Sequence, residues 1–304
     1  MDNTRERYEG SREAAISLSN RMVGRLVCPL SHEPLRLVEI TGVPYLQTAA
    51  SGTRYTIVDR IPRLIPREPP DALRGRWRQW QQLQENGLYS YVTLPSINTS
   101  QNEAEARQVI EFFRLSDPVL DIGCGPLRER SAYARWIDVD DYVGLDPLAG
   151  LQPKDFQFVQ AIGELLPFAD DTFGSLIFYS SLDHVIALEL VLAEAKRVLR
   201  PGGFINVWMD QEQPEPGLAH GLWHQLTRGS RQLLAARRDL GLRGAAAYGY
   251  RVATMRIPRG ARDQFHMDFP APDRVVEKLR ELGFDDMQRL EMGAEVALSL
   301  RLGQ

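Results

Sequence analysis

From Pro118 onward, short runs of β-forming apolar residues alternate with helical stretches, and no other feature restricts the fold of this chain as strongly. Strands are expected at 119–122, 142–145, 156–159, 175–179 and 204–208, and helices near 128–136 and over 187–199. A helix over 272–282, stopped by Gly283, leads into a closing antiparallel hairpin of 286–291 and 295–302. Strands alternating with helices predict βαβ units, so the fold class is α/β with a mostly parallel sheet covered on both faces.

The first seventy residues read differently. Residues 4–22 carry charged and small residues at helical spacing, and "LVCPLSHEPLRLVEITGVPYLQTAASGTRYTIVDRIPRLIP" then reads as short strands separated by Pro and Gly turns. Residues 1–70 are therefore expected to form a small β-rich module and 71–304 the larger domain. Residues 71–91 are helical in composition and place Trp77 and Trp80 on one face, as packing anchors. Residues 101–115 form an amphipathic helix with Ala104, Val109, Ile110 and Phe113 inward. Residues 210–264 are too long for a connector and read as a helical insertion after the fifth strand of the sheet.

The stretch "PVLDIGCGPL" shows what the sheet is for. A buried strand ends in an acid and breaks into Gly123 and Gly125, which can take positive φ and let a ligand approach the backbone. In an open parallel sheet this is where ligands bind, and a helix after the turn would offer free N–H groups to an anion. A dinucleotide fold would want a third glycine where Arg128 stands. About twenty residues on, "YVGLDPL" ends the next strand with Asp146, placed to accept both hydroxyls of a ribose. These residues alone leave NAD and S-adenosylmethionine in competition.

"GELLPFADDTFGSLIFYSSLDHV" and "EAKRVLRPGGFINVW" follow in order. With the glycine turn they resemble class I S-adenosylmethionine-dependent methyltransferases from about residue 101 to the end. The resemblance implies a Rossmann-like, seven-stranded sheet, S-adenosyl-L-methionine as cofactor, and transfer of its methyl group to an O or N atom of a small molecule such as a sugar or natural product. The competing reading is a cofactor-binding scaffold on the same fold that has lost methylation, or an atypical enzyme that uses the bound cofactor without transferring its methyl. Matching positions one by one, Asp121, Gly123, Cys124 and Gly125 would hold the methionine end, Asp146 the ribose and Pro147 the adenine. Ile162 and Gly163 would flank the adenine amino group, with Ile162 standing where the family often has an acid, and Ser180 would border the cofactor. Leu127 stands where the family commonly has a third loop glycine.

Methyl transfer to a hydroxyl needs a base within hydrogen-bond reach, and histidine is the natural one. Catalytic candidates are His184 and Asp183 of "SLDHV" and His266 of "DQFHMDF". Acceptor contacts are expected from the insertion as a lid, through Trp223, His224, Tyr248 and Arg251. His220 and His224 share a helix face, yet no carboxylate or cysteine completes a metal site near them, and no metal is expected.

The amino-terminal module resembles the small zinc-ribbon-like domain known as a tRNA-methyltransferase activator. Only Cys28 of its paired cysteines remains and Ser31 replaces the partner, so no zinc is expected, and the module reads as a packing or dimerisation element that leaves a homodimer open. A net charge of -4 and the lack of a basic-aromatic cluster argue against a nucleic-acid partner. Two isolated cysteines, a polar start and no apolar run of about 20 residues predict a cytoplasmic protein without a membrane span.

Overall fold

The computed structural model describes residues 18–94, 103–150, 154–211, 218–259, 261 and 264–304, with the backbone alone for 218–235. The expected helix over 4–22 lies mostly outside these residues, and what is described of it is the single turn α1 (Asn20–Val23).

Strands β1 (Leu35–Ile40), β2 (Val43–Thr48), β3 (Arg54–Val58) and β4 (Ile61–Pro62) form an antiparallel sheet in sequential order. This is the predicted amino-terminal β module. It shares its core with the rest of the chain: Met22, Leu26, Cys28, Leu35, Leu46, Tyr55 and Leu64 belong to the same buried cluster as Leu120, Phe168 and Leu176.

The larger sheet contains β5 (Val119–Ile122), β6 (Tyr142–Leu145), β7 (Gln157–Val159), β8 (Phe173–Tyr179), β9 (Leu199–Asp210), β10 (Phe284–Met292) and β11 (Glu295–Leu302). Their order is β10-β11-β9-β8-β5-β6-β7. The five strands from β5 to β9 run parallel, and β11 inserts antiparallel between β9 and β10. This is the seven-stranded Rossmann-like sheet that the motifs implied. β8 shows why these residues are strand: all seven are buried, as a central parallel strand covered on both faces requires.

Helix α2 (Asp71–Thr93) crosses from the small sheet to the large one, and α3 (Glu103–Phe112) precedes β5. α4 (Leu188–Val198) buries Leu188, Val191, Leu192, Ala195 and Val198 on one stripe. α5 (Leu218–Thr254) is broken into two helices at Gly241, whose φ of 70° no helix tolerates. α6 (Pro272–Glu281) starts on Pro272, buries Val275, Val276 and Leu279, and ends before Gly283 at φ 92°.

One expected element is not there. Residues 128–136 hold no α-helix, only a short 3-10 turn at Tyr133–Trp136. The backbone after the glycines is fixed otherwise: the Lys154 ammonium donates to the Pro126 and Leu127 carbonyls, and Asp155 N–H donates to the Arg128 carbonyl. Carbonyls held this way do not enter a helical ladder, so the turn is not followed by a helix N-terminus that could receive an anion.

Candidate active site at the glycine turn

β5 has neighbours on both sides whose connections leave in opposite directions, so the crevice beyond its carboxyl end is the switch point of the sheet. The glycine turn fills that place. Gly123 and Gly125 both have φ of 85°. A Cβ on Gly123 would lie 2.4 Å from the Cβ of Ser181, whose hydroxyl donates to the Ile122 carbonyl at 2.7 Å and ties the ends of β5 and β8 together.

Asp146 closes the turn from the end of β6. Gly125 N–H donates to its Oδ2 at 2.9 Å and Leu148 N–H to its Oδ1 at 2.7 Å. Each oxygen keeps a second lone pair, so a pair of hydroxyls can still be accepted. Pro147 beside it is half-buried, its carbonyl accepting from the Gln160 side chain at 2.7 Å. Cys124 is buried against Ile61, Ala149 and Phe158, and burial raises its thiol pKa well above the usual range. The cysteine therefore contributes backbone and packing, and its thiol does not face a ligand.

Asp121 lies wholly buried in β5, with Oδ2 accepting from Tyr142 at 2.6 Å and Tyr133 at 2.8 Å. Its Oδ1 has no hydrogen-bond partner among the described residues. Burial pushes its pKa up to about 7, against the two tyrosine hydrogen bonds. Burial also pushes Asp146 up to about 6, against the Leu148 and Gly125 N–H groups. A carboxyl whose pKa is higher in the folded than in the unfolded chain keeps its proton longer when folded. Its contribution to stability is complete below about pH 4 and is lost as pH climbs toward about 7. Unfolding free energy of the protein without cofactor is expected to carry this decline, and Asp121→Asn should reduce it by more than about 1 kcal/mol. Denaturant titrations at both ends of that window measure the difference, and an identical decline in the variant would remove Asp121 as its source.

Ile162 is buried with Leu73, Trp77, Trp80, Leu83, Ile186 and Met267, under the tryptophan pair whose ring centroids are 4.9 Å apart. It is core at the foot of α2. Gly163 opens the 3-10 turn Gly163–Leu165, where a Cβ would press on Val191 at 3.3 Å. The next residue, Glu164, was not singled out from the sequence. Its buried carboxylate accepts from Ile186 N–H and from Ala187 N–H at 3.2 Å, supplying the cap of α4 that Ala187 has no side chain to provide. Ser180 is exposed at φ 48°, with its N–H bonded to the Trp208 carbonyl at 2.8 Å.

The three catalytic candidates come together. Asp183 and His184 lie in the 3-10 turn Leu182–His184 after β8, and the ring centroids of His184 and His266 are 4.8 Å apart. The end of α2 reaches the same place. The Tyr91 hydroxyl lies 3.6 Å from where a Cβ on Gly125 would be, and burial raises its pKa, with Asp146, Cys124 and Asp183 adding to the rise. Ser181, which touches the glycine turn at Gly123, is followed directly by the 3-10 turn that carries Asp183 and His184, so the glycine turn and the histidine pair sit on adjoining loops.

Of the acceptor candidates, Tyr248 and Arg251 pack on α2. Tyr248 stacks on Tyr89 at 6.2 Å and its hydroxyl is 3.2 Å from that of Ser90, while the Arg251 guanidinium lies 5.7 Å from the centre of the Tyr89 ring. The side chains of Trp223 and His224 lie outside the described residues. A surface hollow of about 520 Å³ lined by Asp171, Lys196, Pro201, Leu282 and Gly303 is at the amino ends of the parallel strands, opposite to this chemistry.

Residues 120–207, from β5 to β9, match the family model described as a methyltransferase domain. Over this stretch, under a third of its length, the chain is similar to that family. Among curated relatives, the ubiquinone/menaquinone biosynthesis C-methyltransferase UbiE of Paracoccus denitrificans is 30% identical over 48% of this chain and 53% of its own. An uncharacterized methyltransferase of Schizosaccharomyces pombe is 24% identical over 40% of this chain and 49% of its own. The chain thus spans about half the length of these relatives. A solved structure of an S-adenosylmethionine-dependent methyltransferase from Thermotoga maritima, possible histamine N-methyltransferase, aligns with 74% of this chain and 99% of its own at a TM-score of 0.45 and 16% identity. No described helix is long and apolar enough to cross a membrane.

Proposed function

We propose that the protein is an S-adenosylmethionine-dependent methyltransferase acting on an O or N atom of a small molecule. The observation that carries this reading is that the glycine turn, closed by Asp146 and touching Ser181, adjoins the Asp183–His184–His266 group at the switch point of the sheet.

The residues present fit the cofactor. Asp146 retains acceptor capacity for a ribose, and the unpartnered Oδ1 of Asp121 is a buried acceptor suited to the ammonium of the methionine end. Bound there, the cofactor supplies a methyl group already activated by its sulfonium. The chain itself must align an acceptor, exclude water and manage the acceptor proton. The two histidines with a carboxylate favour an acceptor that loses a proton from O or N, although UbiE relatives are named as C-methyltransferases.

Residues 210–264, together with α2, are proposed as the cover of the acceptor, since Tyr248 and Arg251 hold the insertion against Tyr89 and Ser90. The amino-terminal β module is proposed as a zinc-ribbon-like unit held by hydrogen bonds where its relatives use metal. Cys28 sits 3.1 Å from the Tyr55 hydroxyl, and Glu33 accepts from Ala50 and Ser51 N–H groups at 3.2 Å, joining two turns.

Incubation with methyl-labelled cofactor and a panel of sugars, phenols and amines tests the function. Label should pass to at least one acceptor class. Tight cofactor binding with no transfer to any acceptor would favour the non-methylating scaffold.

A further inference from the structure

Asp183 and His184 are more than eighty residues from His266 in sequence, and the fold gathers them. One ligand atom from each lies within 4.8 Å of the others. His184 Nε2 is 3.7 Å from Asp183 Oδ1, and His266 Nε2 is 3.6 Å from Asp183 Oδ2. Hydrogen bonds close at about 2.7–3.2 Å, so these separations are too long for them. They approach the spacing of about 3.4 Å between two ligands of a four-coordinate cation whose bonds are about 2.0–2.1 Å.

Proton positions point the same way. His184 Nδ1 lies 3.1 Å from the Phe265 carbonyl, which can only accept, so Nδ1 carries a proton, and in the neutral ring Nε2 turns a lone pair toward Asp183. A neutral nitrogen facing a carboxylate oxygen is repelled unless a cation stands between them. Asp183 Oδ1 is buried and has no hydrogen-bond partner among the described residues. A carbonyl fixing the far nitrogen of an imidazole is the arrangement that orients metal-binding histidines. The backbone is held as well: the Asp183 carbonyl accepts from Met267 N–H at 2.9 Å and from Asp268 N–H at 3.2 Å, docking the loop that carries His266. The side chain of His184 remains 41% exposed, which leaves a way in.

We propose that Asp183, His184 and His266 hold one divalent cation of the zinc class, which binds the oxygen of the methyl acceptor. Two imidazoles select zinc, cobalt or nickel over magnesium, and three protein ligands leave a position open for an acceptor oxygen. A hydroxyl bound there ionises near neutral pH: its O–H bond breaks, the proton passes to water and the electron pair stays on oxygen as the nucleophile. The acceptor half of this inference rests on the methyl-transfer reading, whereas the cation site does not.

The full chain, stripped with chelator and dialysed, is titrated with Co2+ by visible absorption and with Zn2+ by calorimetry. One equivalent should bind, with the intense d–d bands of a low-symmetry site. Asp183→Asn and His266→Gln should each weaken binding by more than about 10–100-fold, the cost of losing even an outer-shell partner. Both variants should still bind S-adenosylmethionine with near-native affinity, which shows that they are folded. No saturable Co2+ binding would overturn the proposal and leave the cluster as a metal-free base. Binding that both variants retain would overturn it too, by placing the ion elsewhere. Failure of the methyl-transfer reading shows separately, as loss of label transfer in protein that still binds the ion.

Discussion

Gly123→Ala is expected to destabilise the protein by about 2–5 kcal/mol, the sum of a left-handed backbone forced on an L-residue and an overpacked contact. It should also weaken S-adenosylmethionine binding by more than about tenfold, one decade being about 1.4 kcal/mol. The backbone part follows from φ of 85° and the packing part from the 2.4 Å approach of the new Cβ to that of Ser181. The two parts can be separated. Ser181→Gly in the same chain removes the clash and leaves the backbone strain, so the double variant should recover only part of the loss. Denaturant unfolding and calorimetry on the single and double variants measure this. A Gly123→Ala protein as stable as the parent would mean that the turn adapts freely and is not built around a glycine.

Asp146→Ala should reduce S-adenosylmethionine affinity by about 1.5–3 kcal/mol, the range for losing hydrogen bonds to a charged group. In this fold the carboxylate also holds Gly125 and Leu148 N–H, so the alanine variant loses turn geometry as well as ribose contacts. Asp146→Asn distinguishes the two, since its single carbonyl oxygen can keep one N–H while its amide group cannot accept from a hydroxyl. An unchanged dissociation constant in a folded alanine variant would show that the ribose is held by other residues.

What was readable in the sequence is what depends on neighbours along the chain. The buried runs of β5 and β8, the two positive-φ glycines and the Gly283 stop of α6 all follow from residue type at short spacing. The helix expected over 128–136 fails at its entry, where Lys154 claims the Pro126 and Leu127 carbonyls and Asp155 N–H that of Arg128, about twenty-seven residues further on. Ile162 reads from the sequence as a lost adenine contact, and its burial in one cluster with Trp77 and Trp80 of α2 exists only in the fold. Glu164 hides because its partners, Ile186 and Ala187, are backbone groups that no residue type announces. His184 and His266 were legible one at a time as polar residues near the turn. Their spacing around Asp183, from which a cation site can be argued where none was expected, exists only once the 265–268 loop is docked.

The small sheet bears on how the molecule could be shortened. β7 is the outermost strand of the large sheet, and beyond it Arg63 forms a parallel bridge with Gln160, Leu64 N–H donates to the Gln160 carbonyl at 2.8 Å, and Gln160 N–H donates to Pro62 at 3.0 Å. The amino-terminal module therefore acts as an edge guard. Without it, Gln160 at the end of β7 would present open backbone groups beside an uncovered apolar face once occupied by Leu26, Leu46 and Leu64, which is the condition under which sheets pair with one another. A chain begun at residue 71 is expected to aggregate, so the boundary that the motifs suggest is a poor place to cut.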